Sequence, residues 1–130
     1  MIPIVQLQKA LYSTLSESYS VFELKQVNPS FPFIEIGQII ESDDSIKTDH
    51  RHQFNVMIHT FSKGSSSLQS KQINNYVKTK IMGLSQVEGF NFEFVKLSNS
   101  TTLNEPSQDG KPIFHGVLQF DISIAKPKQI

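Results

Sequence analysis

The chain has 130 residues, 12 basic and 12 acidic side chains, and no cysteine. That length suits one ordinary domain that can bury a core without a disulfide or metal, and the missing cysteines exclude disulfide frameworks, zinc–thiolate sites, iron–sulfur clusters and thiol nucleophiles. Zero formal charge, with Arg51 the only arginine, argues against a nucleic-acid surface, and no apolar run approaches the ~20 residues of a membrane span.

Met1-Ile2-Pro3-Ile4-Val5-Gln6 lacks the basic and long apolar regions of a signal peptide. Pro3 suits the first turn of a helix. Ile4, Leu7, Leu11 and Leu15 then recur at helical spacing, which predicts a first helix over about residues 3–17. Residues 18–32 read as a connection with an extended piece at Tyr19–Leu24, because Pro29 and Pro32 bias their predecessors away from helix. Phe33–Ile40 reads as a strand, and Gly37 within it marks a bulge or a close backbone approach.

The polar, largely acidic stretch Glu41–Asp49 reads as a hairpin loop. A second strand over about residues 50–61 alternates Phe54, Val56 and Ile58 with Gln53, Asn55, Met57 and His59. Ser65–Ser67 can cap a second helix, whose stripe is Ile73, Val77, Ile81 and Leu84, with Gly83 near its end. Phe90, Phe92 and Phe94 give a third strand. Residues 99–112 read as a long loop with the turn signal Asp109-Gly110. The fourth strand carries Phe114, Leu118, Phe120, Ile122 and Ile124 on one face, and residues 126–130 form a loose tail.

The expected fold is one α+β domain over residues 1–130, in the order α-β-β-α-β-β. It is an antiparallel sheet of four strands, or slightly more, with two helices on one face and ten phenylalanines supplying much of the core.

Few residues point to chemistry. His50 and His52 share a strand face and His59 lies on the other, so no ligand set of the size zinc needs is visible, and no metal or cofactor is expected. There is no nucleophile elbow, dinucleotide fingerprint or phosphate loop. Asp43 and Asp44 sit in a polar loop that favours solvated carboxylates over a catalytic pair. The expectation is a protein that is not an enzyme.

Phe31-Pro32-Phe33-Ile34-Glu35-Ile36-Gly37, following an N-terminal helix and a connection, resembles the corresponding strand of the tail completion (tail terminator, head–tail joining) proteins of long-tailed phages, the siphophages. The strand from His52 through Val56 and Ile58 to His59-Thr60-Phe61-Ser62, then Gly64 and a helix, is similar to theirs. So is the closing strand, Asp109-Gly110 and His115-Gly116-Val117-Leu118-Gln119-Phe120. Phe61 stands where many relatives carry tryptophan, and the segment Ser98–Pro106 has no counterpart. The resemblance spans about residues 3–124.

The resemblance implies a virion protein, made in the host cytoplasm. It would form a ring of its own copies, usually six, on the head-proximal end of the tail tube. It would contact the tail tube protein and a head completion or connector protein, with no catalytic residues. Another neck or minor tail component is the alternative within that setting, and a small-ligand-binding α+β domain is the alternative outside it.

A ring needs two unlike complementary surfaces. The acidic loop with Glu41, Asp43, Asp44 and Asp49, offset by Lys47, and the basic helix with Lys71, Lys78 and Lys80 are one candidate pair. The long loop, with Asn104, Glu105 and Asp109, is a second candidate. Loops 41–50 and 99–112 are expected to be mobile in the free protein and to order on assembly.

Overall fold

The apolar stripes and alternations fold as their periods require, though into a larger and mixed sheet. A computed structural model describes residues 2–42 and 51–127. Helix α1 (Pro3–Leu15) starts on Pro3 and buries Leu7, Leu11 and Leu15 completely. Strand β1 (Ser20–Phe22) follows, then β2 (Phe33–Glu41), β3 (Arg51–Lys63), helix α2 (Leu68–Met82), the two-residue β4 (Gln86–Val87), β5 (Phe90–Glu105) and β6 (Ile113–Ala125).

The strands form one six-stranded sheet in the order β1-β2-β3-β6-β5-β4, curled into a half-barrel. This corrects the four-stranded antiparallel expectation. The order is α-β-β-β-α-β-β-β, and β1 pairs parallel to β2, matching Ser20 to Phe33 and Phe22 to Glu35. β1 falls within the extended piece expected at Tyr19–Leu24, but three residues carry no periodicity that would show its parallel pairing with β2.

The predicted loop 99–112 is also corrected. β5 continues through Glu105, pairing Asn99 with Gln119 and Glu105 with Ile113. Its Ser, Thr and Asn residues resemble loop composition, but ladder bonds to β6 hold them extended. Only residues 106–112 connect β5 to β6.

The core is one cluster on one face of the sheet. Phe54 lies beside Ile122, Val56 beside Phe120 and Ile58 beside Leu118. Leu7, Leu11 and Leu15 of α1 and Ile73, Val77 and Ile81 of α2 join the same cluster. Each such buried side chain contributes about 1.5–3 kcal/mol.

The core is more aliphatic than expected, since among the phenylalanines only Phe33, Phe54, Phe90 and Phe120 are buried. A bulge between Phe92 and Phe94 explains part of this. It breaks the alternation, sets Phe94 beside Ser123, and turns Val95 and Leu97 toward the core instead.

Two polar anchors fix the helices. Tyr76 Oη donates to Leu15 O at 2.9 Å and accepts from Ser18 N at 3.1 Å, tying α2 to the end of α1. Asn74 meets Thr60 Oγ1 through its side-chain oxygen and donates to Thr102 Oγ1 at 3.2 Å, seating α2 on the sheet. Gly116 makes this approach possible, because a Cβ there would run into Thr60 Oγ1 and the Asn74 amide. Gly116→Ala is therefore expected to cost about 1–3 kcal/mol of stability, while Gly64→Ala, with nothing near its added carbon, stays within about 0.5 kcal/mol. Urea midpoints of the two variants check this.

Candidate functional site

The helices leave the other face of the sheet uncovered, and the odd-numbered positions of β3 place a mixed aromatic and histidine row there. Phe33 of β2 stacks on Phe61 of β3 at 4.8 Å between ring centroids, and Phe61 stacks on His115 of β6 at 4.3 Å. Phe22 and Phe31 close over Phe33 edgewise and tilted, at 5.8 and 5.4 Å. The Lys63 ammonium sits 5.7 Å from the Phe31 ring centre.

Beside this row, His59 Nδ1 lies 2.8 Å from His115 Nε2, and His115 Nδ1 lies 3.1 Å from Glu105 Oε2. An ionised carboxylate only accepts, so His115 donates through Nδ1. The neutral His115 then accepts at Nε2, and His59 donates through Nδ1. The contact needs one donor and one acceptor, so two imidazolium rings could not keep it.

Gly37 lets His59 stand here, since a Cβ at Gly37 would fall 2.8 Å from His59 Nε2 and 2.9 Å from Met57 O. The bulge expected at Gly37 is present, between Ile36 and Ile39.

The predicted interface residues fall in several places. Asp43, Asp44, Lys47 and Asp49 lie outside the described residues, as does His50. Glu41 is at the end of β2 and pairs with His52 at 3.0 Å. Lys71 and Lys78 are exposed on α2, whereas Lys80 is held by Glu17 at 2.7 Å, joining the ends of the two helices. Asn104 is exposed near the end of β5, one residue before Glu105.

Asp109 organises the β5–β6 connection. It pairs with Lys63 at 2.8 Å and accepts from Ser107 Oγ at 2.7 Å and Lys111 N at 3.0 Å, which holds its carboxyl well below the usual carboxylate range. No spacing or motif marks His59, His115 and Glu105 as neighbours. They are far apart in the chain, and only the strand register joins them.

The β3·β6 register also fixes where the two hairpin connections leave the sheet. Arg51 lies opposite Ala125 and Lys63 opposite Ile113. Arg51, where β3 begins, is thus at one end of the sheet, and residues 106–112 are at the other.

The fold has a known likeness. It is similar to a chain in the virion of a native gene transfer agent (GTA) particle, with a TM-score of 0.73, covering 94% of this chain and 96% of that one at 12% sequence identity. At that identity the likeness concerns the fold. No protein-family model and no curated protein matches the sequence. An open cleft of about 440 Å³ lies along α1, lined by Val5, Gln8, Lys9, Tyr12, Ser13 and Glu23, away from the histidine row.

Burial and the neighbouring His115 hold the His59 imidazole below its ordinary value of 6.5, with Glu35 opposing. The sign follows from linkage. Above about pH 6.5 His59 is neutral in both states; as the pH falls through that value toward the depressed folded one, the unfolded chain takes up the proton first and stability drops. The expected outcome is a decline in unfolding free energy between about pH 7 and pH 5 that is shallower in His59→Gln, read from urea midpoints across that range.

Proposed function

We propose that this chain is a structural protein of a phage-like virion that sits as a ring on the head-proximal end of the tail tube, ends tube growth and provides the surface that joins tail to head. The observation that carries the reading is the likeness of nearly the whole fold to a chain of a gene transfer agent virion. The strand and helix motifs shared with tail completion proteins agree with it.

The geometry supports the same role. A subunit between tail tube and head needs two separate contact regions, and the two hairpin connections of this sheet leave from opposite ends. The formal charge of zero lets many copies sit close together without net repulsion. The role is structural, not catalytic.

Between neighbouring copies, or toward a tail partner, the acidic segment with Asp43, Asp44 and Asp49 meets the exposed lysines of α2. Lys71 and Lys78 are its main counterparts, because Lys80 is already engaged by Glu17. Glu105 and Asp109 also shape the β5–β6 end of the sheet, where their carboxylates hold His115 and Lys63.

Particles produced without this chain are expected to show overlong or headless tails by negative-stain microscopy. Tails of normal length that still join heads overturn the reading. Tailless heads beside normal tails point to a head-side neck component instead. The charge pairing is tested by Asp43→Lys with Asp44→Lys, which should lower head–tail joining by about tenfold while the monomer's unfolding curve stays unchanged.

A further inference from the structure

We infer that the outer edge of β5 pairs, antiparallel, with the β1–β2 edge of a second copy of this chain. The inference deepens the ring proposed above and rests on that reading. β4 covers only Phe90 and Asn91 of β5, and Phe92 N donates to Ser85 O. From Glu93 to Glu105, no described strand lies beyond β5.

A bare edge presents a row of unpaired N–H and C=O groups and is a template for another strand. Proteins blunt such edges with proline, lysine or bulges. The first part of β5 is blunted in this way, by bulges at Phe92/Phe94 and Leu97/Asn99 and by Lys96. The second part is not. Asn99-Ser100-Thr101-Thr102-Leu103-Asn104 holds no proline, lysine or bulge, and its Leu103 is 49% exposed.

The opposite edge is also incomplete. β1 covers only Phe33–Glu35, and among the described residues no strand lies on the outer side of Ile36–Glu41. Symmetry and strand sense select the occupant. Pairing β5 with another β5 makes a two-fold dimer and stops, whereas joining unlike edges repeats from copy to copy, as the ring proposed above requires.

β5 runs opposite to β6, β6 to β3 and β3 to β2, and β1 runs with β2, so β5 is antiparallel in sense to both strands of the other edge. Rotation about an axis along the strands preserves that sense, so β5 meets the next copy's edge in the antiparallel ladder geometry. The registers agree as well. Ser20 pairs with Phe33, Phe33 with Phe61, Phe61 with His115 and His115 with Leu103. Ser20 and Leu103 therefore stand at one level on the same face, at opposite edges.

The test uses the purified full chain at rising concentration, with native mass spectrometry and amide exchange. Once oligomers form, exchange at residues 99–105 is expected to slow by at least about tenfold relative to the monomer. Oxidised Ser20→Cys/Leu103→Cys, in a chain with no other thiol, is expected to give a ladder of covalent multimers, while each single variant gives no more than a dimer. Oligomers without slowed exchange at 99–105 overturn this inference and leave the ring standing, whatever the double variant does. A chain that forms no oligomer at any concentration removes the ring and this inference together.

Discussion

The pairing of β3 with β6 sets nearly everything else in the molecule. Arg51 to Lys63 run against Ala125 to Ile113 without a register break, while β2 and β5, which flank them, both bulge. Side chains on a strand alternate with a period of two, so this one alignment decides both faces of the sheet. Phe54, Val56 and Ile58 meet Ile122, Phe120 and Leu118 on the side the helices cover. A slip of β3 by one residue would turn Phe54, Val56 and Ile58 to the other face and bring His59 under the helices.

The uncovered face shows what the same alignment leaves outside. Phe33, Phe61 and His115 stack across three neighbouring strands, and Glu105 extends the row to a fourth. Such a row is apolar enough to be partly dry and still offers nitrogen and carboxylate groups in a fixed arrangement. Elsewhere on the sheet, exposed polar groups are used internally. Glu93, the bulged residue of β5, takes Arg51 Nε at 2.7 Å and Ser123 Oγ at 2.8 Å, and these bonds hold its carboxyl below the usual carboxylate range.

Much of the architecture was legible from residue spacing. Both helices followed from their aliphatic stripes, the long strands from alternation, and the Gly37 bulge from a glycine inside a strand. What stayed hidden depends on partners distant in sequence. β1 lies within the extended piece expected at Tyr19–Leu24, but its parallel pairing with β2 was not legible, and β4 is too short to have a period. The polar end of β5 has loop composition, and β6 alone makes it a strand. Phe94 looked like a core residue until the extra residue at Glu93 reversed its face. The charged residues were visible, but their use was not: Lys80 looks like a free cation until Glu17 arrives from the other helix. His59 and His115 belong to separate strand segments, and nothing in either segment announces the other.

Tyr76 has a mechanical consequence. Its hydroxyl is bonded on one side to a carbonyl closing α1 and on the other to an amide just beyond it, with its ring edge-on to Tyr19 at 4.8 Å. The chain must therefore leave α1 along one path, which delivers Ser20 beside Phe33 in the same direction as β2. A single phenol on the second helix thus steers how the amino-terminal segment is threaded, and load applied to that segment is shared with α2 through this hydroxyl.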